Sequence, residues 1–248
     1  MCYYNTINIK KGTKISLNGV TKELPEVNRP LQSGFEYGDW TIIKPTNNGY
    51  DFELAHWELI APWVKNNFEV MKGREKFNTL NATSERLLES KLFKQPALKR
   101  RCLVLSSGFY EWRHYTPEGS KKDIAYPYYI SVKEQPLFFM AGIYQPWVDI
   151  ESGEMMNTFT IVTTKANRLM EQIHNKKKRM PTILNNEQAS LWISPNLSEQ
   201  QIMQLASTQI DDHLLEAHTI KKDFRTAYNP MESHLYIDLP DLDSQVSI

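Results

Sequence analysis

RCLVLSSGFYEW (101–112) is the stretch whose reading decides the fold. It is rich in β-branched and aromatic residues, which favour a pleated, half-buried surface, so it reads as a β-strand. Runs of the same kind lie on either side of it: WTIIKP (40–45), YPYYISV (126–132), PLFFMAGIY (136–144) and FTIVTT (159–164). Helical signals are fewer. Ala166, Leu169, Met170 and Ile173 repeat at helical spacing behind Thr164, a residue type suited to capping. Ser198 with Gln201 three positions later forms a capping-box pattern that opens a helix over 198–207, and SERLLESKLF (84–93) is a third candidate. Strands with helices scattered irregularly among them imply an α+β fold rather than alternating βαβ units.

The 248 residues, 41% of them hydrophobic, suffice for one large core. The turn-rich stretches at 45–49 and 116–120 are too short for linkers, so residues 1–248 read as a single domain, with 185–248 expected to hold C-terminal helices and an acidic tail. The last seventeen residues contain Glu232, Asp238, Asp241 and Asp243 and no Lys or Arg. Lys+Arg and Asp+Glu both number 29, so no global charge advertises a polyanionic partner. Local basic runs occur at Lys99-Arg100-Arg101 and Lys176-Lys177-Lys178-Arg179, each either a phosphate contact or a solvated face. Two cysteines, Cys2 and Cys102, make neither a disulfide framework nor a zinc site, which points to a reducing compartment. The first residues lack a long apolar run, so neither a signal peptide nor a membrane anchor is expected and the cytoplasm is the default location. No glycine-rich phosphate loop is present, so no nucleotide cofactor is expected, and no metal.

Several residues invite a chemical reading. Cys2 stands directly behind Met1, in a part of a chain that is usually frayed, although free cysteine is usually buried. Glu111 sits between Tyr110 and Trp112; it is either an edge-strand carboxylate facing water or a desolvated one with a raised pKa. His174 ends the 166–173 helical pattern, where a helix C-terminus favours the imidazolium, or it is simply a helix-ending residue. Asn81, in FNTLNATSE (77–85), is a helix cap or something more. HWELIAPW (56–63) offers Trp57 and Trp63, as core residues or as platforms for bases.

Taken together, Cys2 behind Met1, N-A-x-S-E at 81–85, the R-R-C-x-V-L-x-x-G-F-Y-E-W run at 100–112, and I-H…R-M-P after an A-N-x-x-M helix resemble the SRAP (SOS-response-associated peptidase) family. The motifs occur in the family's order between positions 2 and about 184. The resemblance implies a β-rich, barrel-like core with flanking helices and an active site in a basic groove. It also implies a covalent trap for abasic sites in single-stranded DNA, closed as a thiazolidine by the cysteine once Met1 is removed. On this reading Cys2 is the nucleophile, Asn81 positions it and the opened sugar, His174 serves the sugar oxygen, and Glu111 serves the amine or thiol. Lys176 and Arg179 would grip phosphates, and Trp57 and Trp63 would stack on bases. Three features depart from the family: Tyr3 and Tyr4 replace its Gly-Arg, Thr83 replaces an arginine, and NKKK displaces the arginine that follows the histidine. Two other readings remain: a cysteine peptidase, whether general or confined to removing its own Met1, and a non-catalytic single-strand-binding module.

The chemistry explains the residue types. Near pH 7.5 an α-amine with a pKa of about 7.7–8.0 is neutral in roughly a third of molecules, whereas a lysine at about 10.4 is neutral in about one in a thousand. The amine attacks the aldehyde of a ring-opened abasic sugar, and the adjacent thiol then adds to the imine at high effective molarity.

Overall fold

The computed structural model describes residues 2–243, and in it the 101–112 run is two strands rather than one. Strands Arg101–Ser106 and Gly108–Tyr115 belong to different sheets, and the chain crosses between them at Ser107. The break is fastened from both near and far in the sequence. The Ser107 N–H donates to the Thr6 carbonyl (2.8 Å), and the Gly108 N–H donates to Ser106 Oγ (3.1 Å). Gly108 is required by close approach, since a Cβ there would sit 2.2 Å from the Tyr129 hydroxyl.

In chain order the strands are β1 Tyr4–Ile9, β2 Lys14–Leu17, β3 Val20–Glu23, β4 Val27–Ser33, β5 Asp39–Thr46, β6 Gly49–Trp57, β7 Asn81–Thr83, β8 Arg101–Ser106, β9 Gly108–Tyr115 and β10 Ile124–Val132. They continue with β11 Phe138–Val148, β12 Met155–Lys165, β13 Arg179–Pro181, β14 Ile183–Leu184 and β15 Leu215–Thr219. The helices are α1 Asn67–Arg74, α2 Lys94–Lys99, α3 Arg168–Ile173, α4 Asn186–Trp192 and α5 Glu199–Ala206.

Five strands close on themselves. β12 pairs with β6, β6 with β5, β5 with β8, β8 with β11, and β11 with β12 again. The ring is antiparallel except at β6–β12. Every residue of β8 is buried, which is why that strand reads as a continuous apolar run rather than an alternating one. Trp40, Trp57, Phe138 and Phe159 are packed fully inside. A second sheet, ordered β15-β10-β9-β1-β4, lies beside the barrel, joined to it through Ser107. The expected α+β fold with a β-rich, barrel-like core and flanking helices is the one observed.

Three local expectations need correcting. Residues 84–93 hold a 3-10 turn at Ser84–Arg86 and further turns, not a helix. Pro96 is the reason: a helix running through it would lose a hydrogen bond and clash one turn back, so α2 starts just before it, where proline is tolerated. Helix α3 is capped by Asn167, whose Oδ1 accepts from the Met170 N–H (2.9 Å), because Thr164 is still inside β12. The C-terminal region contains α4 and α5, the latter with the Ser198–Gln201 capping box, but then adds β15 as an edge strand. Beyond it the acidic segment is tied down by Tyr126, which donates to Asp238 (2.6 Å), and Arg113, which donates to the Pro240 carbonyl (2.7 Å).

The Lys99-Arg100-Arg101 run is structural. Arg101 is buried and its guanidinium donates to four backbone carbonyls, those of Ala97, Leu98, Trp192 and Ser194, at 2.5–2.9 Å. It thereby caps the ends of α2 and α4 with one cation. Arg100 donates to Gln145 (2.6 Å).

Candidate active site

Cys2 leads into β1, and β1 pairs with β9 through Tyr4–Tyr110 and Asn5–Phe109, so the start of the described chain runs toward Glu111. β7 pairs in parallel with β12 and delivers Asn81, whose Nδ2 donates to the Cys2 carbonyl (3.0 Å). α3 ends at His174. There the Asn175 side chain pins the following loop to β9, accepting from the His114 N–H (3.0 Å) and donating to its carbonyl (2.7 Å). His174 Nε2 thus comes to 3.7 Å from Glu111 Oε2. The four residues expected to carry the chemistry converge from four separate elements. The expected removal of Met1 concerns a residue outside those described.

Burial sets the electrostatics. Cys2 is completely enclosed, and desolvation, helped by the charge of Glu111, pushes its thiol well above the ordinary range. Glu111 is 3% exposed, and desolvation pushes its carboxyl up to about 7. His174 moves the other way, down to about 4, again chiefly through desolvation. The imidazolium expected from the helix terminus is therefore not the resting state, because loss of water outweighs the favourable end of a short helix. His174 Nδ1 lies 2.8 Å from the Arg179 carbonyl, which can only accept, and 3.3 Å from the Arg179 N–H, which can only donate; the shorter contact sets the ring proton on Nδ1 and turns the Nε2 lone pair toward Glu111.

Two spaces open here. A cavity of about 230 Å³ is lined by Tyr3, Glu111, Trp112, His114, His174, Lys176 and Lys177. A groove of about 700 Å³ runs past Asn81 between Trp63, Phe77, Arg86 and Lys91. Asn81 Oδ1, buried, has no protein partner among the described residues and belongs to a side chain that lines this groove.

The residues expected on DNA divide. Trp57 is sealed in the core, stacked on Phe159 with its indole N–H donating to the Leu80 carbonyl (3.1 Å), so it has no face for a base. Trp63 is more than half exposed at the groove. Arg179 turns inward, donating to Glu85 and to the Thr163 carbonyl at 2.6 Å each, so its charge is already engaged. Lys176 is exposed but pairs with Asp123 (2.9 Å). Lys177 lines the smaller cavity, and its charge reaches both Glu111 and His174. Sequence reasoning did not separate Lys177 from its neighbours, and it missed Tyr3, Phe77, Arg86 and Lys91. Adjacency to NATSE was the one available signal for Phe77 and Arg86.

Among the described residues no three His, Cys, Asp or Glu side chains gather as a metal site, and no helix is long and apolar enough to cross a membrane. The family model "SOS response associated peptidase (SRAP)" matches residues 11–227, a span that contains Asn81, Glu111 and His174. The abasic site processing protein YoqW of Bacillus subtilis is 33% identical over 181 residues, covering 72% of this chain and 74% of its own. The abasic site processing protein HMCES of Gallus gallus is 33% identical over 149 residues, 54% of this chain and 42% of its own. A crystal structure of a protein from Bacteroides thetaiotaomicron superposes with a TM-score of 0.78 at 31% identity, covering 94% of this chain and 100% of that one.

Proposed function

Because this chain belongs to the SRAP family, we propose that it processes abasic sites, capturing them in single-stranded DNA through a thiazolidine formed by Cys2 after Met1 has been removed. The observation that carries the reading is the Asn81 hydrogen bond to the Cys2 carbonyl beside the Glu111–His174 pair. It fixes the one residue that would offer an amine and a thiol on adjacent carbons next to two groups able to move protons.

The steps follow from the protonation states. The enclosed thiol holds its proton, so the amine attacks the sugar aldehyde first. The carbinolamine loses water to give the imine. Glu111, near the midpoint of its titration at neutral pH, donates the proton that lets hydroxide depart as water. Sulfur then adds to the imine carbon; its proton passes by way of Glu111 to the ring nitrogen, and no atom is lost in this step. Neutral His174 accepts and returns protons at Nε2, with its orientation fixed by the Arg179 carbonyl. Asn81 Oδ1 is a ready acceptor for a hydroxyl of the opened sugar. Trp63 and Phe77 offer exposed rings to bases, and Arg86, Lys91 and Lys177 offer cations to phosphates.

The test is incubation with single-stranded DNA carrying one abasic site, read on a denaturing gel. A heat-stable adduct with damaged and not with intact DNA is expected; equal behaviour of the two substrates overturns the reading.

A further inference from the structure

Beside the cavity that holds Glu111 and His174 lies an aromatic face made by Tyr4, Trp112 and Phe224. The ring centroids of Tyr4 and Trp112 are 5.2 Å apart, those of Trp112 and Phe224 6.0 Å, and those of Tyr4 and Phe224 6.2 Å. Phe224 is buried and stacks on Tyr110 (5.2 Å, 16°), which anchors the face to the sheet. Tyr4 and Trp112 are only partly covered, and Trp112 itself lines the cavity. Over this face lies the exposed guanidinium of Arg225, 5.0 Å from the Tyr4 ring, 5.7 Å from Phe224 and 5.9 Å from Trp112.

The neighbouring cations are occupied. Lys221 pairs with Glu232 (2.8 Å), and Lys222 lies over Tyr126 and Tyr236. Arg225, by contrast, forms no ion pair and no hydrogen bond among the described residues. A guanidinium that lies over rings on an exposed residue keeps N–H groups available to solvent, in the planar fork that matches a phosphate. The rings it leaves partly open can take a base.

We propose that Arg225, Tyr4 and Trp112 form a nucleotide subsite that grips one phosphate and stacks the adjoining base on the flank of the lesion. The subsite lies on the β9 side of the catalytic cavity, whereas the groove of Trp63 lies on the β7 side. The inference rests on the proposed function, in which a single strand passes the cavity.

The test uses the full chain and a fluorescent single-stranded oligonucleotide carrying a tetrahydrofuran abasic analogue. The analogue has no aldehyde, so binding is read apart from crosslinking. In anisotropy titrations across salt, Arg225→Ala is expected to bind about 5- to 20-fold more weakly and to flatten the log–log salt slope by about 0.7, the value for one phosphate contact on a single strand. Arg225→Lys keeps the slope and loses part of the affinity, because an ammonium does not stack as a guanidinium does. Crosslinking of true abasic DNA at saturation stays at the wild-type rate in both variants. Oligonucleotides extended on only one side of the lesion should feel Arg225→Ala for one polarity and not the other. Unchanged affinity and slope in Arg225→Ala, with a wild type that binds and crosslinks, overturns the subsite and leaves the function standing. A wild type that neither binds nor crosslinks overturns both. Should Arg225→Ala unfold, the wild type and Arg225→Lys compared on the two one-sided oligonucleotides decide: a loss in Arg225→Lys confined to one polarity supports the subsite, and equal behaviour overturns it.

Discussion

His174 Nε2 and Glu111 Oε2 face each other at 3.7 Å with their ordinary order of titration inverted. In water the carboxyl releases its proton well before the imidazolium does. Here burial moves Glu111 up to about 7 and His174 down to about 4, so between those values both groups are uncharged and the carboxyl keeps the proton.

The inversion has a signature in stability. A carboxyl raised from 4.5 to about 7 costs stability progressively as pH rises through that window, because the folded chain holds a proton the unfolded chain has released. An imidazole lowered from 6.5 to about 4 acts in the opposite sense: its contribution is lost as pH falls from 6.5 toward 4. The two slopes oppose each other over most of the range. Glu111→Gln removes the first, so relative to wild type it should gain up to about 3 kcal/mol at pH 8 and nothing at pH 4. Urea unfolding at pH 4, 6 and 8 checks this, and a difference independent of pH would refute the assignment.

Cys2→Ala and Cys2→Ser keep an α-amine after Met1 removal, so both should form an imine with abasic single strands. Borohydride should trap that imine, and without reductant the adduct should be lost on heating, since neither variant closes a thiazolidine. A heat-stable Cys2→Ala adduct formed without reductant rules out ring closure through this thiol.

Asn81→Ala releases the Cys2 carbonyl. The crosslinking rate at saturating DNA should fall on the order of 10- to 100-fold through lost orientation. Affinity for the unreactive tetrahydrofuran analogue should change far less, so rapid-quench rates and anisotropy together separate positioning from binding.

The basic run should divide residue by residue. Lys177→Glu places a negative charge in the cavity beside Glu111 and His174, so it should flatten the salt slope of binding by about 0.7 or more and raise the pH at which the saturated rate is half-maximal. Lys176 lines the same cavity, but it is already paired with Asp123 and its charge does not register at Glu111 or His174, so Lys176→Glu should do less on both counts. Equal effects of the two variants would mean the cavity does not distinguish them.

Arg101→Lys leaves up to three of four backbone carbonyls, two of them fully buried, without a donor, because an ammonium cannot span the fork. A loss of about 2–4 kcal/mol is expected by denaturant unfolding. Crosslinking measured well below the midpoint should be unaffected.

The strand content was legible because β-branched and aromatic runs announce buried sheet, and the four residues that the fold brings together were legible as a set of motifs. Pairing was not. That 101–112 divides between two sheets depends on Thr6 and Tyr129, both far away in sequence. Trp57 and Trp63 are six residues apart and chemically alike, yet one is sealed under Phe159 and the other lines the groove. Arg179 and Lys177 differ in role because Lys178 adopts a left-handed conformation (φ 50°) between them, a local reversal that composition does not encode. The sign of the His174 shift was missed because a helix end is visible in sequence and the depth of burial is not.

β7, which holds Asn81 against the Cys2 carbonyl, is itself held in its sheet by β12, and the far wall of the cavity is His174. The enclosure around the first residues therefore cannot be completed until about 170 further residues have been synthesised, roughly 10–30 s at ordinary translation rates. Throughout that interval Cys2 stays unenclosed on the nascent chain, open to solvent and to solutes that the finished fold shuts out.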